Sequence, residues 1–154
     1  MAVLIVKDFV NERFRKLYAI LGRYVSRRAI RVEIKLTTNE LVVSIQPAED
    51  FDDVVIKEVQ LLSISGVFSR GQRLSSKWLE TELLSLGYFT EPLDVDELNQ
   101  PGIYKARFVG GASALSRQTI LNHFKLRDYS LWISYTVEGI DQSFFRKVPL
   151  LIPE

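Results

Sequence analysis

An α+β fold, about six mainly antiparallel strands packed with three helices, is predicted by three features of the 154-residue chain. Strand-like alternation of apolar and polar residues recurs at 30–36, 41–45 and 131–137. Consecutive strands follow one another without crossover helices, which favours antiparallel pairing over a doubly wound parallel sheet. Apolar residues at helical three- and four-residue spacing mark three separate segments, the first of them amphipathic and basic. The expected order is helix, strands, helix, strand, helix, strands, in a single domain covering 1–154.

The first helix is expected from Asp8 to Val25. Phe9, Val10, Phe14, Leu17, Ile20, Leu21, Tyr24 and Val25 supply its wide apolar side, and Asp8 suits its N-cap. Ile30, Val32, Ile34 and Leu36 then alternate with Arg31, Glu33 and Lys35. Thr37 to Glu40 is the expected turn. Leu41, Val43 and Ile45 repeat the pattern until Pro47 ends it. Pro47 to Asp53 is expected to be a solvated acidic loop, with Phe51 anchored inward. It lacks the residue frame of a calcium loop.

From Val54 to Phe68 β-branched and apolar residues dominate, with a bend expected at Gly66. A helix follows at about Ser75 to Leu86, with Ser75 or Ser76 as N-cap and Gly87 at its exit. Trp78, Leu79, Leu83 and Leu86 form its expected stripe. The acidic stretch 91–100 is a loop or a single helical turn. Ile103 to Val109 returns to strand, and Gly110-Gly111 breaks it. Ser113 or Ser116 caps a third helix whose apolar side is read as Leu115, Ile120, Leu121 and Phe124. Leu131, Ile133, Tyr135 and Val137 open a final hairpin with its turn at Glu138-Gly139.

Composition narrows the function classes. Apolar residues at 47% and charged residues at 25% are ordinary globular usage, so the chain can fill a core unaided. It contains no cysteine, which removes disulfides, thiol catalysis and cysteine-ligated metals. The start, Met1 to Lys7, has no basic region before its short apolar run, and no run approaches a bilayer span. A cytoplasmic location without membrane insertion is therefore the default expectation, with a virion as the other location compatible with the sequence.

The formal charge is +1, yet charge is segregated along the chain. Residues 1–35 hold nine Lys/Arg against three Asp/Glu, and residues 80–98 hold six acids and no base. Such segregation suits oriented docking or self-assembly.

Catalytic equipment is sparse. His123 is the one histidine and reads as a structural partner for backbone or carboxylate. Glu80 and Glu82, two apart on a helix, do not face each other. Asp94, Asp96 and Glu97 have no companion motif. Gly110-Gly111 before a capping serine is a weak anion-holding element and an ordinary helix start. No catalytic residue, cofactor or metal is assigned, and a non-enzymatic protein is expected.

Between Gly71 and Arg107, Leu74-Ser75, Leu86-Gly87-Tyr88 and Pro101-Gly102-Ile103-Tyr104 resemble the small accessory domain of certain bifunctional penicillin-binding proteins. The resemblance covers about a quarter of the chain, and the first sixty residues have no counterpart. It implies a module that receives a regulatory lipoprotein and performs no chemistry.

The expectation is a protein-binding or structural assembly module, in a larger complex or virion, whose partner is another protein or copies of itself. Its expected contacts are Arg13, Arg23, Arg27 and Arg28, with the apolar tail led by Leu151 and Ile152. That tail equally suits a role in covering the domain's own core. The alternative is a nucleic-acid-binding protein using Arg13, Arg15, Lys16, Arg23, Arg27, Arg28 and Arg31 against phosphates.

Overall fold

The computed structural model describes residues 29–48, 53–63 and 71–154. The expected first helix, the Phe51 anchor and the bend at Gly66 lie outside the described residues.

The chain forms an α+β fold with eight strands and three helices among those residues. The strands are β1 (Ile30–Leu36), β2 (Glu40–Pro47), β3 (Val54–Ser63), β4 (Gln72–Arg73), β5 (Thr90–Glu91), β6 (Ile103–Phe108), β7 (Tyr129–Val137) and β8 (Ser143–Pro149). The helices are α1 (Ser76–Ser85), α2 (Val95–Leu98) and α3 (Ala114–Arg127). The strands make two antiparallel four-stranded sheets, ordered β1-β2-β6-β5 (sheet A) and β4-β3-β7-β8 (sheet B). This corrects the expected sheet of about six strands. Alternation identifies which side chains turn inward, but the chain changes sheet between β2 and β3, and again through each of α1 and α3.

Period-two patterning sets the register. In sheet A, Leu36↔Leu41 and Ile34↔Val43 pair on the side facing the core, and Leu41↔Ala106 continues that side into β6. In sheet B, Leu131, Ile133, Tyr135 and Val137 alternate inward along β7, flanked by Val54, Val59 and Leu61 of β3. These faces share one hydrophobic core with Leu79 and Leu83 of α1 and with Ile120 and Phe124 of α3. At the far edges, the Arg146 guanidinium of β8 donates to the Ile30 carbonyl of β1 and joins the sheets.

Local chemistry starts and stops the elements. Thr37 closes the first hairpin: its N–H donates to the Glu40 carbonyl at 2.8 Å, and its hydroxyl accepts from the Glu40 N–H at 3.0 Å. Ser75 caps α1 by accepting from the Trp78 N–H at 3.1 Å, an arrangement worth about 1 kcal/mol. The helix ends in a Schellman motif. The Tyr88 N–H bonds the Leu83 carbonyl, the Gly87 N–H bonds that of Leu84, and Gly87 sits at φ +89°. Ser113 caps α3, and Lys125 and Arg127 lie in its last turn, where cations favour the helix dipole.

Two side chains depart from expectation. Leu115 is 85% exposed, not part of the α3 stripe. At about 100° per residue, nine positions place it on roughly the opposite side of the helix from Phe124. Asp53 is buried, not on a solvated turn, because its carbonyl accepts the Glu138 N–H at 2.9 Å and is held against the end of β7.

Candidate functional site

A group of exposed apolar side chains lies at the β5 edge of sheet A. The pairing Thr90↔Phe108 and Glu91↔Arg107 fixes which way each side chain points. Phe108 and Thr90 turn toward the core, so Phe89 and Val109, one step further along, turn away from it together with Glu91 and Arg107. The Val109 N–H donates to the Phe89 carbonyl at 2.9 Å and locks this cross-strand pair in place. Phe89 is 76% exposed. Its predecessor Tyr88 points the other way, packing edge-on against Phe108 and donating its hydroxyl to the Ser116 carbonyl.

Helix α2 extends the same surface. Glu97 pairs with the Arg107 guanidinium, which also lies 3.9 Å from Glu40, and this anchors α2 to β6. Val95, 71% exposed, and Leu98 are left facing solvent. Around them Glu91, Asp94 and Asp96 are exposed, and none is paired within the described residues. The result is an apolar centre with an acidic rim.

A hollow of about 370 Å³ beside it is lined by Asn39, Glu40, Glu91, Arg107, Gly110 and Gly111. Two carboxylates in that lining disfavour an anion, and the Ala112 N–H is already bonded to the Thr38 carbonyl at 2.7 Å. Of the N–H groups that follow the glycine pair, that of Ala112 is thus committed to the fold rather than to an anion.

His123 lies between helices. Its Nε2 is 2.8 Å from Glu82 Oε2, and the Tyr129 hydroxyl donates to the same oxygen at 3.4 Å. The Tyr129 phenol is held above its usual value, first by burial and then by the Glu82 charge. Trp78 and Phe124 meet Tyr129 in edge and tilted contacts, which shuts the cluster within the packing. Of the His123 side chain 7% is exposed. Glu80 does not join this cluster, and Glu97 is committed to Arg107. Among the described residues no group of His, Asp or Glu is arranged to hold a metal ion.

A cleft of about 330 Å³ opens between the sheets, lined by Pro47, Val54, Val59, Arg73, Gly102 and Tyr104 among others. Burial pushes the Tyr104 phenol up, and the nearby Arg73 charge works against that shift.

Of the anticipated contact residues, Arg13, Arg15, Lys16, Arg23, Arg27 and Arg28 lie outside the described residues. Arg31 is on the side of β1 away from the core, bonded to Glu33, so part of its charge is already matched. The tail divides by residue. Leu150 is buried with its N–H on the Tyr129 carbonyl, Ile152 packs against the core, and Leu151 is half exposed. Most of the tail's apolar surface thus covers the domain itself. Phe89, Val95 and Val109 were not singled out by sequence reasoning. The exposure of Phe89 and Val109 follows from a two-residue edge pairing, that of Val95 belongs to a four-residue helix, and neither element is long enough to leave a periodic signal.

No helix among the described residues is long and apolar enough to cross a membrane. No protein-family model, curated protein or solved structure matches the chain, so the local likeness over 71–107 has no support at family level.

Proposed function

We propose that this chain is a non-enzymatic protein-contact module that serves as a structural or assembly component and docks through the β5 edge of sheet A. The observation that supports this reading is the outward Phe89–Val109 pair continued by Val95 and Leu98 and rimmed by unpaired carboxylates. Scattered exposed apolar residues are ordinary, whereas a contiguous patch with a polar rim marks an interaction surface. Aromatic residues at the centre of such patches commonly dominate binding energy. The enclosure of His123 by Glu82, Tyr129 and Phe124 argues in the same direction, because it fits helix packing better than proton transfer.

The test places a photoreactive phenylalanine analogue at Phe89 and, as a control, at Leu126, which is exposed on α3 away from the patch. The chains are irradiated in their native cells. The expected result is a protein adduct at position 89, absent at 126 and lost when Val109→Asp is added. No adduct at 89, or one unaffected by Val109→Asp, overturns the reading. A nucleic-acid adduct at 89 overturns it as well, in favour of the phosphate-binding alternative.

A further inference from the structure

We propose that the β5 edge receives the basic N-terminal segment of a second copy of this chain, so that copies associate head to tail. This rests on the protein-contact reading and names its partner. An apolar centre of Phe89, Val109, Val95 and Leu98 rimmed by Glu91, Asp94 and Asp96 calls for an apolar segment flanked by cations. The chain itself carries one. Between residues 8 and 28, Phe9, Phe14, Leu17, Ile20 and Leu21 recur at helical spacing, interleaved with Arg13, Arg15, Lys16, Arg23, Arg27 and Arg28.

Sheet topology sets the direction of association. In the order β1-β2-β6-β5, the basic segment enters at β1, and the acidic apolar patch lies at the opposite edge. Arg31 and Lys35 of β1 add cations to the entering edge, and Glu33 offsets them in part. The segment and the patch are different, complementary surfaces, so one molecule's basic segment meets the next molecule's acidic patch. Such a contact joins two different surfaces, so where it is not reciprocated it leaves one segment and one patch for further copies and builds a ring or an open chain. The pairing of opposite charges around an apolar centre also makes the association weaken with salt.

The experiment is size-exclusion chromatography with light scattering on the full chain, over a range of concentration and salt, with two double variants. Asp94→Arg/Asp96→Arg reverses two charges of the acidic rim, and Arg27→Gln/Arg28→Gln removes two charges of the basic segment without creating a partner for the reversed rim. The wild type is expected to form oligomers at low salt that dissociate as salt rises. Each variant alone is expected to self-associate more weakly by on the order of tenfold or more. Mixed together, the two variants retain one intact basic segment and one intact acidic patch, so they are expected to form a heterodimer that grows no further. Circular dichroism matching the wild type shows that each variant is folded.

A wild type that stays monomeric at low salt overturns the proposal. So do variants that assemble as the wild type does, or a mixture that yields no heterodimer. A photo-adduct at Phe89 with a different protein, alongside a monomeric wild type, removes self-association and leaves the contact-module reading standing. Absence of any adduct removes both.

Discussion

Gly102 shows how one atom constrains this fold. It has φ +76°, and a Cβ there would lie 2.3 Å from the Ile45 carbonyl oxygen, against the backbone of β2. The close approach is used, since the Ile45 N–H donates to the Gly102 carbonyl at 2.7 Å. Gly87 has a similar φ of +89° but open space around the same position. Gly102→Ala therefore combines left-handed strain with a clash and is expected to cost about 2–4 kcal/mol. Gly87→Ala meets the strain alone and is expected to cost about 1 kcal/mol. Thermal unfolding of both variants checks this, and equal losses would contradict the clash. Pro101-Gly102 marks a turn in any sequence reading. That Gly102 also touches a distant strand is legible only once β2 and β6 are paired.

At the scale of elements, helix ends were the most legible features. Ser75, Gly87 and Ser113 act within a few residues of themselves, so their chemistry is written locally. The two hairpins were equally legible, because alternation fixes which face is buried. Helix α3 was read less well. Its buried stripe is narrow, with Ile120 and Phe124 enclosed and Leu115 on the far side. Phe124→Ala is expected to destabilise by about 3–5 kcal/mol. Leu115→Ser should change stability by less than about 0.5 kcal/mol. Chemical denaturation of the two variants distinguishes a stripe that includes Leu115 from one that omits it. Strands β4 and β5 are two residues each and have no period to detect. They exist as strands only through Gln60↔Arg73 and Thr90↔Phe108, so the surface built on β5 could not be anticipated.

For the whole molecule, the division into two sheets implies a gradient of local stability. Strand β7 is flanked by β3 and β8, and its inward residues are buried, whereas β5 is a short edge with exposed neighbours. Hydrogen exchange on the monomer at high salt is expected to be slowest in β7 and fastest around β5. Protection of β5 equal to that of β7 under those conditions would mean that the edge is covered within the chain, contrary to the exposed patch described above. The sequence by itself determined what depends on near neighbours: an α+β composition, the inward face of each long strand, the caps, and a separation of basic from acidic segments. Tertiary structure alone decided the split into two sheets, the enclosure of His123 against Glu82, the inward tail and the outward Phe89–Val109 pair. The physical reason is that periodicity records which side of an element avoids water, while the identity of what lies on that side is set by contacts between residues far apart in the chain.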